Sequence, residues 1–298
     1  MTVDNSNKKS VLVTGVNGQI GRVIAEFLLD DYIVYGASIE PGNQTGLDIH
    51  YLQIDIANIG SFTSLPENVD AIVHCAAIIT NDGLSNILVD ANCKGVQNMA
   101  AYALKSKCKE FIYFSSLPII GKPSQIPITE NHPVTNPPTV YHSTKYFGEL
   151  VLNNLLKDIN LSIFRIPSPI GRNTPVNKII PVFVKNAIEN HNYTLLGTGG
   201  RIQNYIDVRD IARAVRCAIE KEANGIFNIA SGKSYSNKEV AELCIKLFNS
   251  SSRINYQGVD KEEDYQWIVS TEKAKNELGF EAIYSLEDTL NEIGKNFR

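Results

Sequence analysis

Apolar residues recur along the first half of the chain in two alternating rhythms. Short runs rich in Val, Ile, Phe and Tyr, at 10–14, 32–37, 50–55, 71–75, 110–115 and 161–166, predict strands. Between them, at 19–30, 87–105 and 139–157, the apolar positions follow a helical period. Apolar strands alternating with amphipathic helices predict a parallel sheet covered on both faces, because parallel neighbours need a crossover and the crossover is usually a helix. From 167 the rhythm weakens. Pro, Gly and Asn accumulate through 167–181 and again through 197–204, which predicts loops. A strand and helix over 205–220 and a strand over 225–230 are expected to return to the main sheet, and helices near 237–248 and 286–293 to build a smaller unit. The predicted division is a larger α/β unit over 1–166 with 205–230, and a cap over 167–204 and 231–298.

Composition narrows the class of partner. With 298 residues, 43% hydrophobic and 20% charged, both units can bury a core. A net charge of −4 and a pI near 5.8 give no electrostatic footprint for nucleic acid or an anionic membrane. The polar opening residues lack the apolar centre of a secretion signal and no apolar run approaches bilayer length, so a cytoplasmic protein is expected. The five cysteines include no Cys-x-x-Cys pair, and no two of the five histidines share metal-ligand spacing on a helix, so no metal site is expected.

The first strand runs into Thr14-Gly15-Val16-Asn17-Gly18-Gln19-Ile20-Gly21, a TGxxGxxG turn that opens a helix with Ile20, Val23, Ile24, Phe27 and Leu28 as its apolar positions. A turn of this kind lets a pyrophosphate approach the backbone closely, and the helix start attracts its charge. Asn17, Gly18, Gln19 and Ile20 join Gly15 and Gly21 as candidate dinucleotide contacts. The second strand should end on the residue that meets the adenosine ribose. That residue is Ser38, with Glu40 two positions on, so NAD and NADP both stay open, with NAD favoured.

Thr139-Val140-Tyr141-His142-Ser143-Thr144-Lys145 sets a Tyr and a Lys one helical turn apart on one face. An ammonium beside a phenol, together with a cationic nicotinamide, favours the phenolate and lowers a pKa ordinarily near about 10, which makes Tyr141 a candidate general acid or base. Lys145 would also hold the nicotinamide ribose. Ser116, at the end of the 110–115 strand, is placed to hydrogen-bond the reacting oxygen.

These segments together resemble the extended short-chain dehydrogenase/reductases, the NAD-dependent epimerase/dehydratase family. Asp55-Ile56 looks like the family's adenine-contacting pair, His74-Cys75-Ala76-Ala77 like its His-x-Ala-Ala turn, and Asn92 like its helix asparagine. Arg165 to Gly171 resembles the segment after the active-site helix, and Gly197 to Asp210 the GxG…(F/Y)(I/V)xVxD segment. The resemblance implies a Rossmann-like, doubly wound parallel sheet of about seven strands with a smaller C-terminal substrate-binding domain. It also implies cofactor contacts at Cys75, Ala76, Ala77, Ser115 and Pro167, substrate contacts at Ser116 and Ser168, and a homodimer built from helices 87–105 and 139–157.

Departures from the family pattern concern the substrate. Leu117-Pro118 follow Ser116 where dehydratases carry Asp-Glu, which removes the acid needed to protonate a leaving hydroxyl. Gln203 replaces an Arg that grips the nucleotide diphosphate, and Lys261 is the nearest cation to a second basic position; Arg201 and Lys178 are the candidate substitutes. The chemistry implied is hydride transfer at a secondary alcohol or ketone of a nucleotide sugar, as an epimerase or a 4-keto-sugar reductase. A carbonyl substrate without a nucleotide is the alternative that Gln203 favours. A dinucleotide sensor without catalysis would have no need of Tyr141.

Overall fold

The computed structural model describes residues 8–80 and 82–298. Its centre is a seven-stranded sheet, parallel throughout, made of β1 (Ser10–Thr14), β2 (Ile33–Ser38), β3 (His50–Gln53), β4 (Ala71–His74), β5 (Glu110–Ser116), β6 (Asn160–Ile166) and, later in the chain, Gly225–Asn228. The spatial order is β3-β2-β1-β4-β5-β6 and then the late strand, so the chain reverses direction of travel between β1 and β4. β4 and β5 are buried along their whole length, as strands covered on both faces must be.

Two apolar layers cover the sheet. On one face, α1 (Gln19–Leu28) packs Ile24 and Leu28 against Ile211, Val215 and Ala218 of the helix Val208–Lys221. On the other, Val96 and Met99 of the helix Gly95–Lys105 meet Leu152 of the helix Val140–Leu155. The helix expected over 87–105 is three pieces: α2 (Asn86–Val89), a π-helical stretch Asp90–Lys94, and α3 (Gly95–Lys105). A π-stretch adds a residue to a turn and re-aims its side chains, a device frequent at functional sites. The helix carrying the Tyr–Lys pair is α4 (Val140–Leu155), capped by the Thr139 hydroxyl, which accepts from His142 N.

A separate core holds the rest, with Ile180, Phe183 and Val184 of α5 (Ile179–Ile188) against Val240 and Leu290. The loops expected over 167–181 and 197–204 are therefore incomplete as a description of 167–204. That span contains β7 (Ser168–Ile170), α5, β8 (Tyr193–Leu196) and the start of β9 (Ile202–Asp207). Pro181 misleads because it is the third residue of α5, where its missing N–H has no intrahelical acceptor to lose. Beyond α6 (Val208–Lys221) and β10 (Gly225–Asn228) come β11 (Ser234–Ser236), α7 (Asn237–Leu247), β12 (Ile254–Gln257) and α8 (Leu286–Gly294). Ala274, Leu278 and Phe280, from the span expected in the cap, pack into the main-sheet core. Among the described residues, no helix is long and apolar enough to cross a membrane.

One buried ion pair fixes α4 against the sheet. Arg165 of β6 donates from Nε to Glu149 Oε1 at 3.0 Å and from Nη2 to Oε2 at 2.7 Å, with side chains only 5% and 2% exposed. Its Nη1 donates to the Glu130 carbonyl at 3.0 Å. Breaking such a pair from one side strands a buried charge. Glu149→Leu or Arg165→Met alone should therefore lower unfolding free energy by about 3–5 kcal/mol, while the double replacement loses less than either single one. Urea denaturation of the four proteins measures this, and simply additive losses would rule the coupling out.

Candidate functional site

The strand order reverses between β1 and β4, and a crevice opens there at the carboxyl ends of the strands, where open α/β sheets bind ligands. Gly15 turns the chain at φ +68°, donating its N–H to the Ala37 carbonyl at 2.7 Å. A Cβ at Gly15 would lie 2.8 Å from Ala76 N, and one at Gly21 2.3 Å from the Gly15 carbonyl oxygen, so the turn admits no side chain at either position. No side chain caps α1 and no acid occupies its first turn, which leaves those N–H groups for an anion.

Eight of the expected cofactor residues line this crevice: Gly15, Gly18, Ser38, Asp55, Ile56, Cys75, Ala76 and Ala77. Others act from behind it. Asn17 ties down the loop after β2, donating to the Gly42 carbonyl and accepting from Gln44 N. Gln19 reaches across to the Pro169 carbonyl at 3.2 Å and the Thr174 hydroxyl at 2.9 Å. Ile20 packs on the core and Ser115 is buried at the end of β5. Asn92, projecting from the π-stretch, exchanges bonds with Ile78 N and O and donates to the Thr144 hydroxyl, joining the loop after β4 to α4. Glu40 also lines the crevice and accepts the Ser38 hydroxyl, so a carboxylate stands just past the end of β2, where a ribose contact is expected. A glycine cradle, uncapped N–H groups and a carboxylate at that point fit NAD.

Lys145 is buried, its Nζ 4.5 Å from the centre of the Tyr113 ring. Tyr113 donates its hydroxyl to the Lys145 carbonyl at 3.2 Å and needs the bare Gly148, where a Cβ would lie 2.2 Å from that oxygen. Burial pushes the Lys145 amine down to about 8, partly opposed by the Cys75 thiol and Glu149. Burial likewise pushes the Tyr141 phenol up to about 12, the reverse of the lowering that its spacing from Lys145 predicts. Desolvation is the cause, and no lowering by the Lys145 ammonium accompanies it. His74, bonded through Nδ1 to the Thr14 hydroxyl at 2.8 Å, is held near about 3 by burial and by the Lys145 charge, so its imidazole is neutral. Ser116 is buried just before the 3-10 turn Leu117–Ile120.

A second cavity, of about 390 Å³, adjoins the start of α4 and is lined by Thr139 and His142, which flank Tyr141. Pro118, Pro167, Ser168 and Arg201 line it too. Pro167, expected at the cofactor, thus faces the other cavity. Lys178 is not brought in; it is the exposed N-cap of α5. Sequence reasoning missed Lys122, Tyr265 and Trp267, which reach this cavity from distant parts of the chain. It also missed Tyr113, for which a glycine inside a helix at 148 was the available signal.

Residues 11–230 match the family model described as the NAD dependent epimerase/dehydratase family. The UDP-glucose 4-epimerase of Halalkalibacterium halodurans is 26% identical, covering 97% of this chain and 95% of its own. The dTDP-4-dehydro-6-deoxyglucose reductase of Escherichia coli is 24% identical over 99% of both. The solved UDP-glucose 4-epimerase of Thermotoga maritima with UDP-glucose superposes with a TM-score of 0.86 at 22% identity, covering 97% of this chain and 98% of that one.

The depressed pKa of Lys145 carries a stability consequence. Its folded value lies below the unfolded one, so the folded state disfavours the ammonium; the penalty is full below about pH 8 and vanishes as pH rises through the unfolded value. Lys145→Met, of similar shape and uncharged, should therefore stabilise the protein by about 2 kcal/mol at pH 7 and by little at pH 10.5. Thermal melts at the two pH values check this; a destabilised variant at pH 7 would contradict it.

Proposed function

The chain belongs to the NAD-dependent epimerase/dehydratase family, and from that premise we propose that it is a nucleotide-sugar epimerase or 4-keto-sugar reductase acting at a secondary alcohol of the sugar. The observation that carries this reading is the position of Tyr141 and Lys145. They stand on the first turns of α4, with Cys75 of the dinucleotide crevice beside the lysine and Thr139 and His142 of the second cavity on either side of the tyrosine. Relatives named as a UDP-glucose 4-epimerase and a keto-sugar reductase, each matched over almost its full length, support the same class.

When bound, NAD supplies the acceptor and donor of hydride. Gly15, Gly18 and the first turn of α1 would hold its pyrophosphate, Ser38 and Glu40 its ribose, and Asp55 and Ile56 its adenine. The chain's own part is to hold the substrate and move a proton. As the sugar carbon is oxidised, Tyr141 as its phenolate takes the hydroxyl proton; as the ketone is reduced, the resulting phenol returns the proton to oxygen. Ser116 donates to the same oxygen. The neutral phenol at pH 7 is ready as the acid, and its conjugate base depends on the Lys145 ammonium, which persists below about pH 8. Leu117 is buried in an apolar cluster and Pro118 carries no acid, which argues against elimination of a hydroxyl. We place residues 8–80, 82–166 and 205–230 around the dinucleotide and 167–204 and 231–298 around the sugar, apart from the stretch 274–280, which packs on the main sheet. The setting proposed is a cytoplasmic homodimer, for which Ile87, Leu104, Leu150 and Leu155, each exposed on α2, α3 or α4, offer the apolar surface.

Tyr141→Phe should abolish turnover while leaving NAD affinity, read by calorimetry, within about twofold. Turnover of the parent should fall as pH rises through about 8, where the Lys145 ammonium is lost. Retained turnover in the phenylalanine variant would remove the tyrosine from the mechanism. Glu40→Gln, by deleting a charge that repels a 2′-phosphate, should shift preference toward NADP by roughly tenfold. An unchanged NADP-to-NAD affinity ratio would put the discriminating contact elsewhere.

A further inference from the structure

Glu262, Glu263 and Asp264 follow one another in a single turn beside the second cavity, and each acid reaches a different element. Glu263 accepts from Thr198 N at 2.6 Å, from Gly200 N at 3.4 Å and from the Thr198 hydroxyl. Room for its carboxylate depends on Gly197, at φ +57°, where a Cβ would lie 2.5 Å from Glu263 Oε2. Backbone N–H groups gathered in such a turn form an anion-holding nest, and Glu263 fills it. Glu262 pairs with Arg201, and Asp264 pairs with Lys122.

Lys122 and Arg201 are the cations among the residues lining the cavity. Lys122 follows the turn after Ser116, with Nζ 5.3 Å from the centre of the Tyr265 ring. Arg201 follows the glycine nest, and its Nε is buried without an acceptor among the described residues, so the guanidinium has an unused donor. Both pairs are solvent-exposed to a degree that makes them weak: 54% and 64% for Lys122 and Asp264, 30% and 41% for Arg201 and Glu262. A diphosphate, with more charge and more acceptor oxygens than a carboxylate, is the stronger partner for each cation.

We propose that Lys122 and Arg201 bind the diphosphate of the substrate in place of the missing arginine at Gln203, and that Glu262 and Asp264 are built-in competitors which occupy these cations until the diphosphate displaces them. Glu263 stays in its nest as the pivot. The competition sets a threshold that a singly charged anion does not meet, because it gains little over the carboxylates already there. The inference rests on the nucleotide-sugar reading, since it assigns the group that such a substrate carries.

Calorimetric titration with UDP, and with uridine as the uncharged probe, tests it on the parent protein, Lys122→Ala, Arg201→Ala and the double variant Glu262→Gln/Asp264→Asn. The expected result is UDP binding weakened roughly threefold to tenfold by each cation loss and strengthened by a similar factor when the acids are neutralised. Uridine binding should not move. Tightening cannot arise from damage to the fold, so the double variant keeps the test decisive even if a cation variant folds poorly. UDP binding by the parent with no gain in the double variant would overturn the competitor role and leave the nucleotide-sugar reading standing. Failure of every protein to bind UDP and, in the same titration, dTDP would overturn both.

Discussion

The proposed catalytic geometry depends on a helix that must not slide. Tyr141, Lys145 and Glu149 lie at successive helical turns on one face of α4, so whatever fixes Glu149 fixes the other two. The fixing group is Arg165 on β6, whose bidentate hold on Glu149 allows neither translation nor rotation of the helix over the sheet. The network continues past that pair. Arg165 also donates to the Glu130 carbonyl, and the Glu130 carboxylate accepts from Asn228 N on the outermost strand. Helix, sheet and the segment leading to the second cavity thus share one set of buried polar bonds, whose low-dielectric setting strengthens each of them.

That rigidity serves a group the fold would otherwise expel. An ammonium as buried as that of Lys145 is tolerated because several weak supports converge on it: the face of the Tyr113 ring, the Cys75 thiol and the Glu149 carboxylate one turn away. Tyr113 is itself held in place by its hydroxyl on the Lys145 carbonyl, and the space for that hydroxyl exists only because residue 148 has no side chain. A glycine that weakens the helix by about 1 kcal/mol is in this way tied to the charge that the proposed chemistry uses.

Features that depend on neighbours in sequence were readable before the structure. The strands 10–14 and 110–115, the glycine turn and the Tyr141–Lys145 spacing are local patterns, and the sheet follows from them because alternating strands and helices have few other ways to pack. What sequence did not disclose depends on distant partners or on geometry without a letter code. The helix Ile179–Ile188 hid behind Pro181, a residue harmless in a first turn. The π-stretch around Asn92 has no compositional sign. Gln19 is a candidate cofactor contact from its place in the motif; what sequence did not disclose is that its side chain spans to Pro169 and Thr174, a pairing set by tertiary structure alone. Lys122 and Trp267 lie far apart in the chain and meet only at the cavity.

The two places where this chain would hold an anion are built on opposite principles. At the dinucleotide crevice the donors are backbone N–H groups at the start of α1, with no acid in the first turn and no side chain capping it, so no group of the chain competes for them. At the second cavity the donors are side-chain cations, each already engaged by a neighbouring carboxylate. An uncontested backbone cradle suits a cofactor that stays through many turnovers. Contested side-chain cations suit a substrate that must arrive and leave, because the carboxylates that resist its entry also take back the cations and assist its departure.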